Sequence, residues 1–230
     1  MNRTATLLRW VTGLVALTTT VSGTLALAKN PPDAERSAWA ITLRVYDYAH
    51  LDRSSMLAAE GEATRIFARA GVDARWVVCP VPHADRGDSP NCQSAGQANN
   101  YILRVMPTAM VGKQGEPQDS LGCTLVCNTG EGVMASVFYN RISKLSGGPH
   151  APASVLLGRA MAHEIGHLLL GPNAHSRTGI MRAQWSDHDF TMEARIELFF
   201  TAEQSRRMKT RLAEQAQTWQ AQAKAVELGR

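Results

Sequence analysis

The sequence predicts an α+β domain, and three observations carry that expectation. Short segments of alternating apolar and polar residues recur between residues 39 and 141 and read as strands. Longer stretches on either side of residue 160 and near the C-terminus repeat apolar residues at helical spacing. A chain of 230 residues with 44% hydrophobic content can bury one full core, so a single domain is the natural count.

Residues 1–28 read as a signal peptide rather than as part of that core. Arg3 and Arg9 form a basic start, an apolar run follows from Trp10 to Leu27, and Ala26-Leu27-Ala28 offers a small-x-small cleavage site. The competing reading is an uncleaved anchor, but Thr18-Thr19-Thr20 makes a weak membrane span and the cleavage site favours removal. The expectation is an exported protein, periplasmic or secreted, with residues 29–230 as its single domain and no stable membrane span after cleavage. Loss of Arg3 and Arg9 takes the formal net charge from +4 to +2, too mild to argue for nucleic acid or an anionic membrane as a partner.

Trp39 to Tyr48 alternates Ile41, Leu43 and Val45 against Thr42, Arg44 and Tyr46, a half-buried strand. Ser54 or Ser55 can cap a helix running to Ala70, with Leu57, Ala63, Ile66, Phe67 and Ala70 inward and Gly71 as terminator. Val72 to Val78 is a second strand, so this unit should cross over right-handed into parallel strands. Tyr101 to Met106, a short piece near Leu121 to Val126, and Val133 to Arg141 complete the strands. Thr201-Ala202-Glu203-Gln204 forms a capping box for a last helix striped by Met208, Leu212 and Trp219.

Export also governs how the four cysteines, Cys79, Cys92, Cys123 and Cys127, are read. An even count in an oxidising compartment suggests two disulfides, for which three connectivities exist. The sequence-local pairing, Cys79–Cys92 and Cys123–Cys127, is preferred because each bond would staple a loop. A four-cysteine zinc site is poorly supported, since neither spacing is a CxxC pair.

The helix from Ser154 to Leu170 carries the chemistry. Ser154 is a good N-cap, Leu157, Met161, Ile165 and Leu168 recur at helical spacing, and Gly171-Pro172 stops the run. Within it lies His163-Glu164-Ile165-Gly166-His167, the HExxH pattern of zinc-dependent hydrolases. His163 and His167 fall one turn apart on one face, the separation two imidazoles need to share a tetrahedral ion. Glu164 points to the side of that pair. Because the helix is apolar on nearly every side, two histidines and a glutamate inside it would be costly without a metal or each other. His175 is the best candidate for a third ligand, with Asp187 and His188 in reserve.

Residues 155 to 185 resemble the metzincin metallopeptidases, most closely the matrixin-like branch, in which a glycine ends the helix, a third histidine follows, and a methionine turn passes beneath the metal. Met181, in Thr178-Gly179-Ile180-Met181, matches that turn. The spacing departs from the family pattern, which would place glycine at 170 and histidine at 173. This chain has Leu170 and Asn173 there, with Gly171 and His175 displaced by one and two places. The two shifts can compensate, since one extra helical residue turns the exit by about 100°.

The resemblance implies an α+β fold with a twisted mixed β-sheet of about four to five strands, an active-site helix, a backing helix and a C-terminal helix. It implies one catalytic Zn2+ held by His163, His167 and His175, with Glu164 as general base for a zinc-activated water, and a peptide or protein substrate. It implies further that a strand beside the cleft pairs with extended substrate and that residues 182 to 190 wall the specificity pocket. Ala183 stands where some relatives carry a tyrosine. No cysteine lies between residue 29 and the first strand, so latency by a cysteine-bearing propeptide is not expected. The expected function is an exported zinc endopeptidase. The alternatives are a catalytically weak or inactive metal-stabilised binding protein, favoured by the shifted spacing, and a zinc amidase acting on cell-wall amides.

Overall fold

A computed structural model describes residues 39–81, 92, 98–111, 120–126, 132–171 and 174–228. The predicted signal segment, Cys127 and Asn173 lie outside the described residues. Five strands form one sheet: β1 (Ala40–Asp47), β2 (Asp73–Cys79), β3 (Asn100–Met106), β4 (Gly122–Val126) and β5 (Gly132–Phe138). Their order is β2-β1-β3-β5-β4, parallel throughout except that β4 runs antiparallel to β5. The α+β class and the mixed sheet are therefore as the sequence predicts.

The alternation in β1 does what its period requires. Ile41, Leu43 and Val45 are fully buried, and the parallel register sets Leu43 beside Tyr101 of β3 and Ile41 beside Ala74 of β2. The backing helix α1 (Arg53–Ala70) returns the chain between β1 and β2, and Gly71 ends it at φ 74°, a left-handed cap. Its N-cap is Asp52, not Ser54 or Ser55. The Asp52 carboxylate accepts the Ser55 backbone N–H at 2.9 Å and both serine hydroxyls, which a serine cap could not match. That start fixes the helix phase so that Met56 faces the core with Ala63, Ile66 and Phe67, whereas Leu57 is 54% exposed.

After a short turn, α2 (Thr108–Val111), and the β4–β5 pair, the chain bends at Phe138 into α3 (Tyr139–Lys144). The predicted strand to Arg141 therefore stops three residues early. The bend buries Ile142 and stacks the Arg141 guanidinium over the Phe138 ring at 4.8 Å.

The long central helix α4 (Ala153–Leu170) starts one residue before Ser154, with Pro152 at the cap position, so Ser154 does not cap it. It packs on α1 and on the sheet at β4 and β5. Leu157, Met161, Ile165 and Leu168 are all fully buried. Each such side chain contributes about 1.5–3 kcal/mol on leaving water. The predicted capping box of α5 (Ala202–Leu228) is present: Thr201 N–H donates to Gln204 Oε1 and Gln204 N–H to Thr201 Oγ1, at 2.9 and 3.2 Å. Met208 and Leu212 are buried, while Trp219, further along the helix, is 40% exposed. Among the described residues no helix is long and apolar enough to cross a membrane.

Candidate metal centre

His163 and His167 lie one turn apart on α4, and their Nε2 atoms approach to 3.2 Å. The ring of His175 completes a triangle, its centroid 5.5 Å from that of His163 and 4.7 Å from that of His167. One nitrogen from each ring lies within 4.8 Å of the other two, a group that could hold a metal ion. The reserve candidates do not join it. Asp187 and His188 open the turn Asp187–Phe190, where His188 Nε2 faces Glu197 at 3.5 Å.

The described residues on either side of the loop show how His175 is held near the helix. Gly171 adopts φ 79° and ψ −169°, a conformation side chains of L-residues rarely take, and so turns the chain sharply out of the helix. Beyond it, Gln204 of α5 donates to the Ala174 carbonyl at 3.1 Å, and Arg207 donates to the Leu170 carbonyl at 3.1 Å. The C-terminal helix thus pins both ends of the segment that presents His175. After that residue, Ser176 N–H donates to the Met181 carbonyl at 2.8 Å, closing a tight loop through Gly179. Met181 itself is fully buried against Gly166, the small residue between Ile165 and His167.

The donor set suits a divalent cation that accepts nitrogen. His163 Nδ1 lies 2.8 Å from the Ile180 carbonyl, which fixes that nitrogen as the donor and leaves Nε2 with its lone pair facing His167. Two imidazole nitrogens on one tetrahedral ion at about 2.05 Å would sit about 3.3 Å apart, close to the Nε2 separation found. Burial pushes His163 down to about 4, the Ile180 carbonyl opposing and His175 adding to the effect. Burial likewise pushes His167 down to about 3, helped by its two histidine neighbours. Both rings are neutral at physiological pH, the state in which imidazole ligates.

A cleft of about 990 Å³ opens over the three rings. Gly122, Cys123 and Thr124 of β4 line it, as do Arg182 to Trp185 and Phe190. Glu164 reaches this cleft although it is only 8% exposed. Thr124 Oγ1 lies 2.7 Å from Glu164 Oε2 and 2.9 Å from its backbone carbonyl. Gly122 lets β4 approach, because a side chain there would meet the Glu164 methylene at 2.6 Å. The Trp185 ring stands edge-on to His163 at 5.9 Å. Local pattern could not have flagged Thr124 or Trp185, since their roles arise from contacts across distant segments. Arg159 left one visible sign, a lone cation inside an apolar helix.

Of the predicted disulfides, Cys79–Cys92 is formed. The proposed partner of Cys123, Cys127, lies outside the described residues. No protein-family model matches the chain, and no curated protein matches it. Fold and site together define an α+β protein with a three-histidine cluster, set in a cleft, that could hold a metal ion.

Proposed function

We propose that this chain is an exported zinc-dependent endopeptidase of metzincin-like design, with His163, His167 and His175 as zinc ligands and Glu164 as general base. The observation that carries the reading is the convergence of three imidazoles on a cleft that also receives a carboxylate from the same helix turn. A metal site that served folding alone has no use for that carboxylate, and a closed structural site would take four protein ligands. The Cys79–Cys92 bond supports an oxidising compartment.

When bound, zinc supplies Lewis acidity for the scissile carbonyl and makes water a competent nucleophile near neutral pH. The protein supplies the rest. The backbone of β4, the last strand of the sheet on the cleft side, pairs with an extended substrate segment and sets the scissile carbonyl over the histidines. Thr124 orients Glu164 through its hydroxyl. Glu164 takes the proton from the attacking water as the carbon–oxygen bond forms, then delivers it to the amine nitrogen as the carbon–nitrogen bond breaks. One peptide bond and one water give one carboxylate and one ammonium product.

The test is zinc stoichiometry measured alongside an unbiased peptide-cleavage screen. The expected result is about one zinc per chain, with Glu164→Ala keeping the metal and losing about 10²–10⁴-fold in cleavage rate. A wild type as inert as Glu164→Ala on the whole library, with zinc still bound, would instead make the protein a metal-stabilised binding module. Cleavage of cell-wall amides without peptide cleavage would make it an amidase.

A further inference from the structure

Arg159 is wholly buried on α4, one turn before His163, and no step of the proposed hydrolysis uses it. Its Nη1 donates to two backbone carbonyls at once, those of Asp189 and Thr191, each at 2.8 Å. Its Nε stands 3.6 Å from Glu62 of α1. Glu62 is shared in turn with Arg65 of its own helix and with Arg195, at 2.8 and 3.0 Å. The two carbonyls flank Phe190, which lines the cleft together with Arg182 to Trp185. The stretch from Arg182 to Thr191 has little regular structure of its own, one short 3₁₀ turn at Asp187–Phe190 and single bridges at Arg182 and Thr191.

A second grip starts where the first ends. The carboxylate of Asp189, 2% exposed, accepts the Ser186 backbone N–H at 2.7 Å and the Ser186 hydroxyl at 2.8 Å, and also pairs with Arg182. Arg182 directly follows Met181 and lines the cleft, as do Gln184 and Trp185 between the two gripped points. A continuous chain of charge-assisted contacts therefore runs from α1 through α4 to the cleft wall. The carbonyl bonds from the Arg159 guanidinium are charge-assisted and so among the stronger hydrogen bonds, while its contact with Glu62, at 3.6 Å, is an ion pair without a hydrogen bond.

We infer that Arg159 is a positioning residue for substrate selection: it clamps the wall from Arg182 to Thr191 onto the metal-bearing helix and so fixes the pocket that Trp185 and Arg182 present to the substrate. The inference rests on the endopeptidase reading for its substrate, whereas the clamp follows from the contacts of Arg159 themselves. A residue that shapes ground-state binding raises KM and changes side-chain preference, leaving the chemical step and the metal untouched.

The experiment compares zinc-loaded wild type with Arg159→Lys by amide hydrogen exchange, zinc titration and peptide-library kinetics. The expected result is exchange about tenfold faster across residues 182–191, with α4 unchanged. Zinc affinity should stay within about threefold, while KM rises about tenfold, kcat moves less than about threefold and the preference profile broadens. Should Arg159→Lys fail to fold, Arg159→Gln carries the same test, since its shorter, uncharged side chain cannot reproduce the bonds to both carbonyls. Unchanged exchange across 182–191, or a loss of zinc affinity in step with KM, would overturn the clamp. If no peptide is cleaved by the wild type, the endopeptidase reading fails while the exchange result still decides the clamp.

Discussion

Met181 packs directly against Gly166. A Cβ added to that glycine would sit 2.5 Å from the Met181 sulfur and 2.9 Å from the Phe200 ring edge. The glycine lies between His163 and His167, so the methionine supports the turn from which both rings project.

Alanine at 166 therefore sets two effects against each other. Intrinsic helix propensity favours alanine by about 1 kcal/mol, whereas crowding a packed core costs about 1–3 kcal/mol. Gly166→Ala should lose about 1 kcal/mol net in urea denaturation. Gly61→Ala on α1 is the control, because nothing lies within 4 Å of its added carbon. That variant should gain about 0.5–1 kcal/mol. Equal gains at both positions would show that Met181 does not crowd Gly166.

The third ligand can be tested by removal. His175→Ala should weaken zinc binding by about 10²-fold or more, while His188→Ala and Asp187→Ala leave it within about twofold, as read by competition with a chromogenic chelator. Unchanged affinity in His175→Ala would move the ligand elsewhere.

Acid should destabilise the metal-free protein through the buried rings. Folded His163 and His167 titrate at about 4 and about 3, whereas in the unfolded chain both titrate near ~6.5. Between those values the unfolded chain binds more protons, so stability is fully present above pH ~6.5 and falls as pH drops through the folded values. Thermal midpoints of apo protein from pH 7.5 to 4 should decline accordingly. Doubling the variant His163→Gln with His167→Gln should flatten part of that slope, and an unaltered slope would count against the burial argument.

The Cys79–Cys92 bond closes a loop of sequence separation 13 at the end of β2. Its removal in Cys79→Ser should cost about 3 kcal/mol in denaturation experiments. Zinc stoichiometry should be unchanged, since neither cysteine borders the cleft.

What the sequence revealed and what it hid divide along contact range. His163, Glu164 and His167 were readable because a single helical period relates them. The strands of the sheet were readable because Ile41, Leu43 and Val45 keep a period of two on one buried face. Cap choices failed where several good candidates stood side by side, as Asp52, Ser54 and Ser55 do. The approach of His175 was only half legible, because its loop is set by Gln204 and Arg207 some thirty residues further on. Thr124 and Arg159 answer to partners that only the folded chain brings near.

That last dependence orders events in time. A chain made or threaded from its N-terminus offers His163 and His167 while the segment from Gln204 onward is still missing, and the loop that bears His175 then lacks its anchors from Gln204 and Arg207. If the three rings hold an ion, its full-affinity capture would wait for the C-terminal helix, and a C-terminally clipped molecule would be left with only a two-toothed grip.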